Sequence, residues 1–124
     1  MSLKIHSVIN GRLVSQEYVW LTATESLNLR GYAIVDRTFN SGGQLSNEFR
    51  HIFVFPEKLI DKNDWVRLFT SAGQYSKERI SNGSGYIHNF YWGSTHPVWN
   101  NNGGDIASLI KYSAVNAVNV PAIT

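Results

Sequence analysis

The chain has 124 residues, no cysteine, and 11 lysine and arginine residues against 9 aspartate and glutamate residues. This length suits one domain over residues 1–124 with a single core, and the absence of cysteine excludes disulfides, thiolate metal sites and cysteine nucleophiles. The net charge is +2 and the cations are scattered along the chain, so the charge leaves a DNA partner possible but does not require one.

Short runs of alternating apolar and polar residues follow one another along the chain, and each run ends at Gly, Asn, Ser or Pro. Alternation with period two is typical of half-buried strands, and no long stretch has the period of a helix. The predicted strands cover residues 3–9, 17–22, 32–37, 51–55, 65–70, 87–92, 105–112 and 115–120.

The number and spacing of these strands predict an all-β chain. Roughly eight or nine short strands separated by turn signals are typical of an immunoglobulin-like antiparallel β-sandwich. Trp20, Trp65 and Trp99 are the candidate core residues, because burying each large ring between two sheets would contribute about 1.5–3 kcal/mol or more.

Two polar intervals separate the later strands. Residues 71–85 form the longest polar stretch, and residues 100–104 read Asn-Asn-Asn-Gly-Gly. Asparagine and glycine tolerate positive φ, so residues 100–104 are predicted to form a tight hairpin; the alternative is that their amides contact a ligand. Residues 61–64 contain two aspartates without the spacing of a calcium loop, and a turn before the next strand explains them.

The histidines show no spacing that indicates a metal site or a catalytic base. His51 and His88 lie within predicted strands, where they cap or line a face, whereas His96 precedes a proline in a turn. We therefore expect no metal, no cofactor and no enzymatic activity. A cleft that contained two of His51, His88 and His96 with a carboxylate would indicate an enzyme instead.

Several blocks of the sequence resemble a lamin-tail domain. They are residues 17–21, 27–34, 53–56, 65–68 and 98–109. The last block is the most specific, because Trp99, an Asn/Gly turn and Asp105 lead directly into the next strand. Tyr32 stands where tryptophan is commoner in the family, and Arg30 stands where serine is common.

The resemblance implies an immunoglobulin-like sandwich without enzymatic activity of its own. In nuclear lamins such domains are docking surfaces for proteins and for DNA or chromatin, and in bacteria similar domains accompany secreted or surface proteins. This chain has no heptad pattern and hence no lamin rod. We therefore expect a bacterial-type module, stand-alone or excised, and the resemblance favours a secreted or cell-surface location.

Two hypotheses about function follow from these observations. The first is a non-catalytic interaction or scaffolding module that binds a protein partner, or a nucleic acid, through one sheet face and the loops at 71–86 and 93–104. The alternative is a carbohydrate-binding module with an exposed row of rings drawn from Tyr75, Tyr86, Tyr91 and Trp92. No apolar run approaches the ~20 residues of a membrane helix, so membrane insertion is not expected.

The candidate partner-binding residues lie in and beside the later loops. Alternation places Tyr91 on the opposite face from its neighbours Phe90 and Trp92, so at least one of these rings faces solvent. The full candidate set is Tyr75, Tyr86, Tyr91, His96 and Asn101.

Overall fold

The computed structural model describes residues 2–38, 51–81, 83–99 and 105–123. These residues form strands and a short 3-10 turn at Val14–Gln16, and they contain no α-helix, which confirms the all-β prediction. No helix within these ranges has the length and hydrophobicity required to cross a membrane. The strands are β1 (Leu3–Ile9), β2 (Tyr18–Ala23), β3 (Leu27–Asn28), β4 (Tyr32–Thr38), β5 (His51–Val54), β6 (Leu59–Ile60), β7 (Trp65–Phe69), β8 (Ser76–Arg79), β9 (Tyr86–Tyr91) and β10 (Asp105–Lys111).

The strands form two larger sheets and one short ribbon. The first sheet has five strands in the order β1-β2-β7-β9-β8, the second has three in the order β10-β4-β5, and β3 pairs with β6. The core lies between the larger sheets, where Leu21 and Leu68 from the first pack in one buried cluster with Ile34 from the second. Each large sheet thus buries one face against the other, as in a β-sandwich.

The five-stranded sheet is mixed, which corrects the prediction of a purely antiparallel sandwich. β7 and β9 pair in parallel, with Trp65 opposite Ile87 and Phe69 opposite Tyr91. β8 is antiparallel to β9 and lies at the edge of the sheet. The β8–β9 hairpin therefore places β9 between β7 and β8. β7, β8 and β9 alternate in direction, so β7 and β9 run the same way. The neighbouring pair β7–β9 is therefore parallel.

The three candidate core tryptophans lie in two different environments. Trp99 is 5% exposed, which confirms its assignment to the core. Trp20 and Trp65 are half-buried on the outer side of the five-stranded sheet, so their assignment to the core is wrong. The aliphatic residues that alternate with them, such as Leu21 and Val66, face the core instead. Alternation separates the two sets of side chains but does not say which set points inward.

Trp99 is held in the core beside a buried carboxylate. Glu17 is fully buried, and its Oε1 accepts hydrogen bonds from the backbone N–H groups of Val98 at 2.6 Å and Trp99 at 3.3 Å. The backbone carbonyl of Glu17 also accepts a hydrogen bond from the Thr70 N–H. These bonds tie the segment that follows β9 to the beginning of β2.

The predicted strand at residues 115–120 is wrong, because the described residues that follow β10, 112–123, form no strand and their side chains are exposed. Three observed strands have no counterpart in the prediction. β3 and β6 contain only two residues each, and β8 has the sequence Ser-Lys-Glu-Arg, in which nothing apolar alternates. β8 also divides the polar interval at 71–85, so that interval is not one continuous loop. The predicted hairpin at 100–104 lies outside the described residues.

Candidate functional site

The outer side of the five-stranded sheet carries a group of aromatic side chains that we call the aromatic face. It arises because the central strands bury their aliphatic residues and turn the alternate positions outward. Tyr18 of β2, Phe69 of β7 and Tyr91 of β9 lie opposite one another across three adjacent strands. Trp20 and Trp65 extend the face toward the other end of the same strands.

The rings of the aromatic face contact one another in sequence. The centroids of Tyr18 and Phe69 are 5.3 Å apart, and Phe69 stacks on Tyr91 at 5.1 Å with an angle of 12° between the ring planes. Tyr18 meets Trp20 edge to face at 5.8 Å, and Trp20 meets Trp65 in the same way at 5.5 Å. Such pairs each contribute about 0.5–1.5 kcal/mol beyond their burial, so the face is a single packed surface.

Arg67 lies in the middle of the aromatic face. Its guanidinium carbon is 4.9 Å from the Trp20 ring centroid and 4.7 Å from that of Phe69, which is the geometry of a cation–π contact. Nε donates a 2.8 Å hydrogen bond to Oδ1 of the buried Asn89, and Nη2 donates to Glu78 Oε1 at 3.3 Å. These hydrogen bonds therefore hold the guanidinium over the rings.

An apolar groove adjoins the aromatic face at its tryptophan end. Its volume is about 470 Å³, within the roughly 300–1,000 Å³ of ligand pockets. A β-bulge between Ile5 and Ser7 in β1 gives His6 its position at the rim, with its ring centroid 5.0 Å from that of Trp65. The groove is lined by His6, Ser7, Ile9, Trp20, Trp65, Ile80 and Ile87.

A chain of hydrogen-bonded side chains lies on the core side of the same sheet; it is buried at Asp64 and His88 and exposed at Tyr75. His88 Nε2 lies 2.8 Å from Asp64 Oδ2, and the Tyr75 hydroxyl lies 2.7 Å from His88 Nδ1. Asp64 and His88 are each 3% exposed. Because a carboxylate only accepts, His88 donates to Asp64 through Nε2, and the Tyr75 hydroxyl is the hydrogen-bond partner of Nδ1. The aspartate that ends the predicted turn at 61–64 is therefore also a buried acceptor.

The environment sets the protonation of this chain. Burial acts to raise the pKa of Asp64, but hydrogen bonds from the Asp61 backbone, from His88 and from the Tyr86 backbone outweigh it and lower the pKa below its ordinary value of 3.8. Burial and the nearby Asp64 carboxylate raise the pKa of Tyr75. The Tyr75 hydroxyl thus resists ionisation, and both ring nitrogens of His88 have hydrogen-bond partners.

The other described histidines do not join this group. His51 Nδ1 lies 2.9 Å from Oδ2 of the buried Asp36, on the three-stranded sheet, whereas His96 is exposed in the loop after β9. The apolar groove contains none of His51, His88 and His96. The described residues also contain no cluster of three or more side chains of the types that bind metals.

The predicted partner-binding residues do not form one surface. Tyr91 belongs to the aromatic face, but Tyr75 and Tyr86 lie on the opposite side of β9, where alternation places residues 86, 88 and 90. A hydrogen bond and the positive charge of Arg79 lower the pKa of Tyr86. Trp92 packs against Phe53 and Trp99, while Asn101 lies outside the described residues.

The residues that the prediction missed are those that make the aromatic face. Tyr18, Trp20, Trp65 and Phe69 alternate with aliphatic residues in β2 and β7, and this pattern was the available signal. A strand with rings on one side and aliphatic residues on the other offers two candidate core faces. Choosing between them requires the pairing of β2, β7 and β9, which local sequence does not supply.

Comparisons of the chain with models of protein families, with curated proteins and with solved structures found no match. The aromatic face and the apolar groove are therefore the features that indicate a function.

Proposed function

We propose that this domain is a non-catalytic interaction module that binds a protein partner through the aromatic face. The observation that carries the proposal is the continuous row of half-buried rings around Arg67 on the outer side of a sheet. Tryptophan, tyrosine and arginine are the residue types that contribute most binding energy at protein interfaces. Packing fixes their conformations before binding, which reduces the entropy lost on association.

The geometry favours a protein partner over a carbohydrate. A sugar platform needs ring faces that are open to solvent. Here Phe69 and Tyr91 face each other, and the Arg67 guanidinium lies over the rings of Trp20 and Phe69. The ring edges and the apolar groove beside Trp65 suit the side chains of a protein better than the face of a sugar ring. Glycan binding is the second candidate because the rings still form a row.

A nucleic-acid partner has less support. Arg67, the cation within the aromatic face, already contacts Glu78 and Asn89. Tight binding of DNA requires several cations that neutralise phosphates together. The aromatic face offers no such set among the residues that the structure describes.

The sequence resemblance to lamin-tail domains supports the same proposal, because those domains act as docking surfaces. We propose on this basis that the sandwich is immunoglobulin-like and that the chain is related to this family. The aromatic face would then be the surface through which a non-enzymatic domain contacts its partner.

The test compares proteins retained by immobilised wild-type domain, a Trp20→Glu variant and an Ile52→Glu control. Ile52 is an exposed aliphatic residue on the other sheet, so its substitution adds the same charge away from the aromatic face. A partner should be retained by the wild type and the control but lost with Trp20→Glu. With the purified partner, calorimetry should show a Kd weakened about 30-fold, equivalent to roughly 2 kcal/mol. Circular dichroism establishes that each variant folds.

Parallel titrations with a glycan array and with labelled duplex DNA separate the alternatives. Retention of the same proteins by all three domains would overturn the proposal. Saturable glycan binding that Trp20→Glu abolishes would replace it with the carbohydrate hypothesis, and salt-dependent DNA binding would indicate a phosphate-binding surface elsewhere on the domain.

A further inference from the structure

The segment that follows β10, residues 113–123, exposes aliphatic side chains that a folded domain usually covers; we call it the trailing segment. Val115, Val118, Val120 and Ile123 are 100%, 82%, 90% and 102% exposed. Burial of such a side chain is favourable, and aliphatic residues are among the most often buried. Exposure this complete means that these side chains contact nothing in the described part of their own chain.

The trailing segment has the composition of a strand without a strand partner. Val118 and Val120 alternate with asparagine and proline, and the segment contains no charged residue. β-Branched residues in alternation favour extended pairing. Within the described ranges, however, this segment pairs with no strand, and the hydrogen bond it makes joins the Ala117 N–H to the neighbouring Asn116 side chain. Its backbone groups therefore remain available to a second surface.

The apolar groove beside the aromatic face has the complementary properties. Apart from His6 and Ser7, its lining is aliphatic and aromatic. A charged peptide would lose hydration there without gaining an ionic partner, whereas a neutral aliphatic strand loses little. Ile9, at the groove and on β1, is 39% exposed and accessible to an incoming chain.

We propose that the trailing segment of one copy of this chain binds in the apolar groove of a second copy, so that the protein self-associates. This deepens the proposed function and rests on it, since the groove is continuous with the aromatic face. Val118 and Val120 lie two residues apart and so project to the same side of an extended chain, as insertion into one groove requires. The occupant is thus a strand-forming segment that its own domain leaves uncovered.

The trailing segment does not occupy the groove of its own chain, whose lining comes from β1, β2, β7, β9 and the residue after β8. Tyr112 donates its N–H to the Gly31 carbonyl at 2.8 Å, which fixes the end of β10 on the three-stranded sheet. The groove lies on the outer side of the other sheet. Within one chain, the groove is not covered by the trailing segment, whose aliphatic side chains are exposed. If the segment binds the groove of a second copy, both apolar surfaces are covered.

Sedimentation equilibrium over a concentration series tests the proposal with four chains. They are the wild type, a chain ending at Tyr112, the double variant Val118→Asp/Val120→Asp, and the control Ile52→Asp on the other sheet. The wild type and the control should self-associate equally. The shortened chain should be monomeric, and the double variant should associate about tenfold more weakly or not at all. Because the trailing segment is fully exposed, both changes should leave the thermal unfolding of the domain unaltered.

A labelled peptide spanning residues 112–123 provides the second measurement. It should bind the chain ending at Tyr112 saturably, and Ile9→Lys in the groove should weaken that binding about tenfold, while Ile52→Asp should not. A wild type that stays monomeric overturns the proposal. If the peptide nevertheless binds the shortened chain, the groove takes the segment of its own chain; if it does not, the groove has another occupant.

The same chains distinguish this proposal from the proposed function. The chain ending at Tyr112 keeps the aromatic face, so it should still retain the protein partner that Trp20→Glu loses. Loss of self-association with retention of the partner supports both proposals. Self-association without any partner supports the exchange of trailing segments and overturns the wider docking role of the face.

Discussion

Trp99 and Trp20 are the same residue type with opposite roles in this molecule. Trp99 lies in the core beside Val98, where Glu17 fixes its backbone, whereas Trp20 lies on the outer side of the sheet under Arg67. The first contributes to stability through burial, and the second is available to a partner. Substitution to alanine should therefore separate folding from binding.

Trp99→Ala is expected to lower the free energy of unfolding by about 3–5 kcal/mol, because it removes a buried ring and leaves a cavity. Trp20→Ala should cost less, about 1–2 kcal/mol, since that ring is only half-buried. Urea unfolding followed by circular dichroism measures both. A loss below about 1 kcal/mol for Trp99→Ala would place that ring at the surface and contradict its assignment to the core.

Asp64 should make the stability of the domain depend on acid pH. Its pKa in the folded chain lies below the ordinary value of 3.8, so folding favours the ionised form. The resulting stabilisation is fully present above the unfolded pKa and is lost as the pH falls through the folded pKa. The free energy of unfolding should consequently decrease as the pH is lowered below about 4.

Asp64→Asn is the variant that tests this assignment, with Asp61→Asn as the control. Both remove a carboxylate from the same turn, but Asp61 is exposed whereas Asp64 is buried against His88. Asp64→Asn should destabilise the domain at neutral pH and flatten the acid dependence, while Asp61→Asn should leave that dependence in place. Equal pH profiles for the two variants would show that another carboxylate is responsible.

At the scale of the elements, the position of a strand in its sheet decides how firmly it is held. β7 and β9 are interior strands of the five-stranded sheet, each bonded on both sides, whereas β8 is an edge strand with exposed side chains. Its sequence Ser-Lys-Glu-Arg places charges on the unpaired edge, which discourages addition of a foreign strand.

Amide hydrogen exchange should reproduce this difference. The interior backbone amides of β7 and β9 should exchange through global unfolding and be the slowest of the sheet, whereas those of β8 that point away from β9 should exchange much faster through local opening. Mass spectrometry of peptides covering residues 65–69, 76–79 and 86–91 gives the comparison. Equal protection of β8 and β7 would mean that the outer edge of β8 is covered in solution.

The elements also show what the sequence could and could not predict. β2 is predictable because its residues alternate in character, and β4 because it follows Gly31 and is rich in β-branched and aromatic residues. β8 is not, since its four residues are all polar and its place depends on pairing with β9. No local sequence pattern indicates that β7 pairs in parallel with β9. This pairing depends on the position of the β8–β9 hairpin in the sheet.

At the scale of the whole molecule, local sequence does not show which strands are neighbours, and this explains why the aromatic face was not predicted. The rings of the aromatic face come from β2, β7 and β9, and they meet only because those strands are neighbours in one register. Alternation correctly places Tyr91 and Phe90 on opposite faces of β9. It does not show that Tyr91 lies beside Phe69 of β7. Likewise, residues 115–120 have the sequence pattern of a strand but pair with no strand of the described domain. That mismatch is the basis of the proposed exchange between copies.

The insertion of β9 between β7 and β8 also bears on how the chain reaches its fold. Strands β1, β2 and β7 can assemble in chain order, but β7 then remains an open edge until the β8–β9 hairpin docks against it. During that interval an aromatic-rich edge is exposed to other unfinished chains. Because docking requires closure of the connecting loop before any parallel contact forms, it should be a late step in folding. Conditions that slow the hairpin would then raise the yield of aggregates without altering the stability of the finished domain.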